Sequence, residues 1–329
     1  MGKFKAYVIR KGDGGQSAGW EELEDGELMD GDVTIRVSHS TLNYKDGLAV
    51  TGKAPIVRSY PMIPGIDLAG VVETSSSPDF KEGDCVLVTG CGLSELHFGG
   101  YAEKARVKSE WVVKIPKAFS AADAMAIGTA GFTAMLCVMA LEDHHVTPDK
   151  GPVLVTGATG GVGSVAVAVL AKLGYQVAAS TGKASEADYL KALGASEIVD
   201  RNEFSGKARP LNRERWAGAV DAVGSSTLAN VLSQTKYSGC VAACGLAQGA
   251  DLPASVMPFI LRNVTLQGVD SVMTPRERRL RAWERLASDL QMSRIKAMTD
   301  MHPLSDMEAL AAKIVEGKIR GRVVFEVGA

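Results

Sequence analysis

The chain has 329 residues, 46% of them hydrophobic and 22% charged, with 36 glycines. That length allows about two domains, each with a core of its own, and the composition excludes a disordered chain or a small disulfide-stapled scaffold. Lysine and arginine (36) nearly balance aspartate and glutamate (38), for a formal charge of −2, so no global positive field draws the protein to nucleic acid or to an anionic membrane; small molecules are the expected partners.

The N-terminus, Met1-Gly2-Lys3-Phe4-Lys5-Ala6, is charged with no apolar run behind it, which is not the pattern of a secretory signal, and Ala6 stands where a myristoylation motif needs Ser or Thr. No uncharged apolar run is expected to reach the ~20 residues that span a bilayer. The five cysteines, Cys85, Cys91, Cys137, Cys240 and Cys244, are odd in number, scattered and mostly in apolar surroundings, so a reducing cytoplasm is the expected compartment.

From residue 1 to about 120 the sequence reads as short β-branched strands separated by glycine- and acid-rich turns: Ala6-Tyr7-Val8-Ile9, Asp32-Val33-Thr34-Ile35-Arg36-Val37, Ala69-Gly70-Val71-Val72-Glu73 and Asp84-Cys85-Val86-Leu87-Val88. This predicts an antiparallel, barrel-like domain over residues 1–120. From Ser120 the period lengthens. Residues 121–141 read as helix, and short apolar strands at 153–156, 176–180, 197–200, 219–223, 240–244 and 264–269 then alternate with helical stretches. Strict alternation predicts an α/β fold, a doubly wound parallel Rossmann sheet over residues 121–270. Past Ser271 come a charged helix, a second helix and the strand Arg322-Val323-Val324-Phe325-Glu326-Val327, expected to return to the first domain as residues 271–329.

The segment Val153-Leu154-Val155-Thr156-Gly157-Ala158-Thr159-Gly160-Gly161-Val162-Gly163-Ser164 is a buried strand, a glycine-rich turn and the start of an apolar helix. A backbone passing close to a pyrophosphate has no room for side chains, and a helix N-terminus offers free N–H groups with a partial positive charge. The spacing Ala158-x-Gly160-x-x-Gly163 is the dinucleotide fingerprint with alanine for its first glycine, placed where a run of βαβ units opens.

An NAD enzyme carries an acid about 20 residues further on, at the end of the second strand, to hold the ribose 2′-hydroxyl. Here the strand ends Ser180-Thr181-Gly182-Lys183, and the third strand closes with Asp200-Arg201. Ser180, Lys183 and Arg201 can bind a 2′-phosphate through charge-assisted hydrogen bonds, so NADPH is the expected cofactor.

An N-terminal barrel, a Rossmann domain opening on Ala158-Thr159-Gly160-Gly161-Val162-Gly163 and a return to the barrel resemble the medium-chain dehydrogenase/reductases over essentially the whole chain. Where that family places its first zinc ligand this sequence reads Leu42-Asn43-Tyr44-Lys45-Asp46-Gly47, and where it places Gly-His-Glu it reads Pro64-Gly65-Ile66-Asp67-Leu68-Ala69-Gly70. No metal is expected. Adding a hydride to an activated double bond needs no Lewis acid, so reduction of a conjugated C=C is the natural chemistry. With Gly99-Gly100-Tyr101-Ala102-Glu103, these segments resemble the zinc-free quinone-oxidoreductase-like branch, and within it the bacterial acrylyl-CoA reductases.

That resemblance implies a GroES-like first domain and a cytoplasmic, homodimeric, NADPH-dependent reductase that turns acrylyl-CoA, an acyl-CoA substrate, into propionyl-CoA. It implies that Tyr44 lies beside nicotinamide and substrate, that Thr159 to Val162 contact the pyrophosphate, and that Ser180, Thr181, Gly182, Lys183 and Arg201 hold the 2′-phosphate. Leu246 would contact the cofactor after the fifth strand and Ser271 after the sixth. Arg322 would face the cleft. Tyr44 and Arg322 are the candidates for aligning substrate and stabilising the enolate-like charge that hydride addition creates. The alternatives are an NADPH:quinone oxidoreductase and a non-catalytic NADPH-binding protein.

His144-His145 reads as a solvated turn, since adjacent residues rarely converge on one ion, and His39 and His97 read as structural. Asp67, set in an apolar run, must be paired or hydrogen-bonded, for barrel stability or for catalysis. Arg276, Arg278, Arg279, Arg281 and Arg285 read as a solvated helix face, with the phosphates of CoA as the functional alternative.

Overall fold

A computed structural model describes residues 2–12 and 14–328. The chain divides into two compact units, one made of Met1–Thr129, Val272–Arg281 and Lys296–Ala329, the other of Ala130–Ser271 and Ala282–Ile295.

In the first unit β1 (Lys3–Gly12) and β2 (Gly15–Glu24) form an antiparallel hairpin. Then follow β3 (Val33–Thr41), α1 (Tyr44–Thr51), β4 (Asp67–Ser75), β5 (Cys85–Thr89), β6 (Lys104–Val107) and β7 (Val113–Lys114). The main sheet has the order β14-β15-β3-β4-β5-β7, with β6 also on β3, where β14 is Thr299–Pro303 and β15 is Arg322–Glu326 near the C-terminus. Alternation sets the layers: Val33, Ile35 and Val37 of β3 point inward with Val72, Val86 and Val88, whereas the hairpin residues Phe4, Tyr7 and Ile9 pack a second core with Leu42, Met62, Tyr101 and Phe325. Helix α1 lies so close to α9 (Met307–Val315) that a Cβ on Gly47 would come within 2.5 Å of Ile314.

Helix α2 (Ala121–Asp143) crosses from one unit to the other and is broken at Gly128, which has φ 52 and ψ −162. Contrary to expectation this helix is long and apolar enough to cross a membrane, with a mean hydropathy of 1.9 in its most apolar window, yet 94% of that window is buried inside the protein. Its apolarity is that of a core helix.

The second unit continues with β8 (Val153–Val155), α3 (Gly161–Lys172), β9 (Val177–Thr181), α4 (Ala187–Leu193), β10 (Glu197–Asp200), β11 (Trp216–Asp221), α5 (Ser225–Gln234), β12 (Thr235–Ala243), α6 (Met257–Arg262) and β13 (Thr265–Gly268). The strands are parallel in the order β10-β9-β8-β11-β12-β13, which reverses direction between β8 and β11. Ligands bind at the carboxyl ends of strands at such a reversal.

The tail departs from a clean return at residue 271. Helix α7 (Arg276–Asp289) begins with the first unit, but from Ala282 onward it and α8 (Met292–Lys296), as far as Ile295, belong to the second. The reason is local packing: Trp283 stacks on Phe132 at 6.3 Å, and Arg285 pairs with Glu142 at 2.7 Å.

Candidate active site

Strand β8 runs into Thr156-Gly157-Ala158-Thr159-Gly160, and Gly160 caps α3 without any side-chain hydrogen bond. The left-handed turn falls at Gly157 (φ 59), one residue before the alanine that replaces the usual first glycine. Ala158 is fully buried, its N–H donating to Ser180 O (3.2 Å) and its carbonyl accepting from Ser164 Oγ (3.0 Å). A Cβ on Gly163 would collide with Gly157 and lie 2.7 Å from Ala158 Cα, so this glycine lets helix and strand close together. Gly160 differs. A Cβ there meets protein only at 3.4 Å, so no protein neighbour requires glycine, and the residue is exposed where a ligand would lie. Thr159, Gly161 and Val162 are half-buried beside it.

Strands β9 and β10 align Thr181 with Asp200. The Arg201 side chain lies across Gly182, where a Cβ would be 2.6 Å from Arg201 Cδ. Lys183 and Arg201 are exposed, and Arg201 has no ion-pair or hydrogen-bond partner among the described residues. Thr181, Gly182, Lys183 and Arg201 therefore come together as a basic edge. Thr181, though buried, is tied to that edge by accepting from Lys183 N through its Oγ1 (3.1 Å), whereas Ser180, only 2% exposed, does not join it.

The sequence reading missed the groups that hold the sheet reversal. Thr156 Oγ1 donates to Asp221 Oδ1 (2.7 Å), Gly224 N donates to Asp221 Oδ2 (2.8 Å), and Ala222 N donates to Thr156 Oγ1 (3.2 Å). Burial holds the Asp221 carboxyl above the ordinary range against these hydrogen bonds. They fix the loop through Gly224 (φ 78), against which Leu246 packs with its side chain 65% exposed. Ser271 is half-buried, three residues past β13. An acid ending an apolar strand before a Val-Gly turn was the available signal for Asp221.

In the first unit Tyr44 opens α1, is 46% exposed, and has no hydrogen-bond partner for its hydroxyl among the described residues. Behind it lies a buried polar cluster. Asn43 Nδ2 is within hydrogen-bonding distance of Thr41 Oγ1 (2.8 Å), Asp67 Oδ2 (2.8 Å) and Asp46 Oδ2 (3.1 Å), and the Asn43 and Ile66 N–H groups both donate to Asp46.

Arg322 departs from its expected cleft-facing place. It is 2% exposed, and its guanidinium donates to Ala126 O (2.8 Å), Asn43 Oδ1 (3.3 Å) and Met125 O (3.4 Å). Met125 and Ala126 lie just before the break at Gly128, and a cation is the favoured partner for carbonyls at a helix end.

Three arginines of α7 depart from a solvated face as well, while Arg281 is exposed as expected. Arg276 donates to Val112 O (2.9 Å), Arg279 is buried and donates to Thr89 O (2.7 Å), and Arg285 pairs with Glu142 and Asp289. His97 is within hydrogen-bonding distance of Arg106 O (2.7 Å), His39 of Ser38 Oγ (2.9 Å) and His144 of Ala140 O (2.8 Å).

Burial and the neighbouring Asp67 charge push the Asp46 carboxyl up to about 7, opposed by the N–H groups of Ile66 and Asn43. Its folded-state value lies above the ordinary 3.8, so its contribution to stability is fully present below that value and is lost as pH rises through about 7. Thermal unfolding should therefore show a shallower fall in Tm between pH 5 and 8 for Asp46→Asn than for the wild type; parallel curves would remove Asp46 as the source.

Residues 29–117 match the family model described as an alcohol dehydrogenase GroES-like domain, and residues 161–288 match the one described as a zinc-binding dehydrogenase. The chain is 55% identical over 98% of its length to the whole of the probable acrylyl-CoA reductase AcuI of Escherichia coli (strain K12). It is 54% identical over 99% of its length to the whole of the acrylyl-CoA reductase AcuI of Ruegeria pomeroyi. The crystal structure of the yhdH oxidoreductase from Salmonella enterica in complex with NADP superimposes with a TM-score of 0.96 at 54% identity, covering 98% of this chain and 99% of that one. The zinc in the second model's description does not fit the residues present. Among the described residues no three His, Cys, Asp or Glu side chains are grouped to hold a metal, and the buried Asp46 and Asp67 share their place with the Arg322 guanidinium. The chain belongs to the medium-chain dehydrogenase/reductase family, in its quinone-oxidoreductase-like branch.

Proposed function

We propose that the chain catalyses the NADPH-dependent reduction of acrylyl-CoA to propionyl-CoA. The observation that carries this reading is the likeness, across the full length of both chains, to acrylyl-CoA reductases. The geometry supports it at the basic edge beside β9, where Arg201 and Lys183 suit a 2′-phosphate.

Ala158 to Gly163 form the turn for the pyrophosphate, with the N–H groups at the start of α3 as its donors. Thr181, Gly182, Lys183 and Arg201 hold the 2′-phosphate, and Leu246 and Ser271 line the cofactor. Bound NADPH supplies a hydride to Cβ of the enoyl thioester. Cα then takes a proton from water, and until it does the thioester oxygen carries enolate-like charge that a positioned donor lowers in energy. Tyr44 is the group assigned there: its ring offers a wall and its hydroxyl a donor without a partner among the described residues. Arg322, enclosed as it is, acts by holding Asn43 beside Tyr44 and does not touch substrate.

A second copy of the chain is the proposed partner. Strand β13 ends the parallel sheet, and the neighbouring Val256, Ile260 and Leu261 of the α6 segment are more than half exposed, Ile260 to 72%. An unpaired strand edge beside an apolar patch is a surface that calls for cover. The proposed compartment is the cytoplasm, where CoA thioesters and NADPH are supplied.

Following NADPH consumption with acrylyl-CoA, crotonyl-CoA and a simple quinone side by side tests the function. Fast reduction of acrylyl-CoA is expected, rapid turnover of the quinone alone would make the protein a quinone reductase, and tight NADPH binding without turnover of any acceptor would make it a binding protein. Arg201→Ala should weaken NADPH binding roughly 10- to 100-fold and leave NADH little changed; equal losses for both would defeat the 2′-phosphate assignment. Ile260→Asp should shift a dimer toward monomer in sedimentation analysis, and an unchanged dimer would place the interface elsewhere.

A further inference from the structure

The fully buried carboxylate of Asp67, at the start of β4, receives donors from two separate segments. Thr41 Oγ1 (2.6 Å) and Asn43 Nδ2 (2.8 Å) reach Asp67 Oδ2 from the stretch that leads into Tyr44. Thr129 N donates to the same oxygen (3.0 Å) and Thr129 Oγ1 donates to Oδ1 (2.5 Å), both from just beyond the break in α2. The break is shaped around this group: a Cβ on Gly128 would lie 2.8 Å from Asp67 Oδ2 and 2.6 Å from Arg322 Nη2.

Holding the barrel together would not require the carboxylate to face the Tyr44 segment. Asn43 is extended (φ −113, ψ 161) and joined to Tyr44 by one rigid peptide plane, so a displacement of Asn43 passes directly to the tyrosine. One carboxyl group thus receives donors from both segments at once, and an amide in its place would remove the negative charge that faces the enclosed Arg322.

We propose that Asp67 is a positioning residue for the reduction, fixing Tyr44 through Asn43 against the broken end of α2. This rests on the assignment of Tyr44 to the reacting centre. It predicts that Asp67 matters to hydride transfer only while Tyr44 is present, and that NADPH affinity, for which the assigned phosphate-binding groups lie in the other unit, changes little.

The test is a double-mutant cycle on the full chain, reading single-turnover hydride transfer to acrylyl-CoA at saturating NADPH, with the Kd for NADPH measured beside it. Asp67→Asn should slow transfer about 10- to 100-fold, the scale on which a misplaced group acts, with the NADPH Kd within about twofold of wild type. In a Tyr44→Ala background the same substitution should have almost no further effect. If Tyr44→Ala alone leaves the rate unchanged, the assignment of Tyr44 falls and the positioning role falls with it. If Tyr44→Ala slows transfer and the two losses multiply in the double variant, only the positioning role is overturned. Should Asp67→Asn fail to fold, Thr41→Val, which removes one donor from the Tyr44 side, is carried through the same cycle and judged by the same coupling.

Discussion

Just before α2 breaks at Gly128, the buried carbonyls of Met125 and Ala126 accept from Arg322. A guanidinium enclosed in that way needs negative charge nearby, and Asp46 and Asp67 supply it. The carboxylates in turn need donors, which come from Thr41, Asn43, Ile66 and Thr129. Each group is explained by the previous one, and the sequence of requirements ends at the residue before Tyr44. The start of α1, the start of β4, the start of β15 and the break in α2 are consequently one electrostatic assembly.

The second unit uses a different device. Its parallel strands leave free backbone groups at their carboxyl ends, and where the strand order reverses, between β8 and β11, the buried Asp221 organises the turns on either side. Glycines divide the remaining work: Gly157 reverses the chain, Gly163 lets helix and strand meet, and Gly160 leaves space. The first two are required by the protein itself. The third is required by no neighbour among the described residues.

Much of this was legible in the sequence. The alternation of apolar strands and helices gave the parallel sheet, whose inner strands β8 and β9 are buried throughout and announce themselves as short apolar runs, and β10, an edge strand with only Val199 buried, was read at its observed limits. Strand β2 was not legible, since Gly15–Glu24 is a polar, acid-rich stretch held by cross-strand bonds to β1. Nor was the beginning of β12, where Thr235 pairs with Trp216 across an irregularity in register. Arg322 was singled out as important but assigned the wrong surroundings. The carbonyls it meets lie just before a break in an apolar helix nearly two hundred residues earlier, and no local pattern shows that break. Asp67 raised the right question, a charge in an apolar run, and only the tertiary structure supplies its partners.

The contact between Gly182 and Arg201 has a consequence for how cofactor preference can change. The arginine side chain occupies the volume that a side chain on residue 182 would need, so a substitution at 182 displaces it. Under the proposed assignment of this edge to the 2′-phosphate, an aspartate at 182 would place a carboxylate where a ribose 2′-hydroxyl can donate to it and, by its bulk, would displace the guanidinium. One codon would thus reverse both halves of the discrimination, removing the attraction and adding the repulsion. A lineage moving between the two nicotinamide cofactors need not pass through an intermediate that holds neither well.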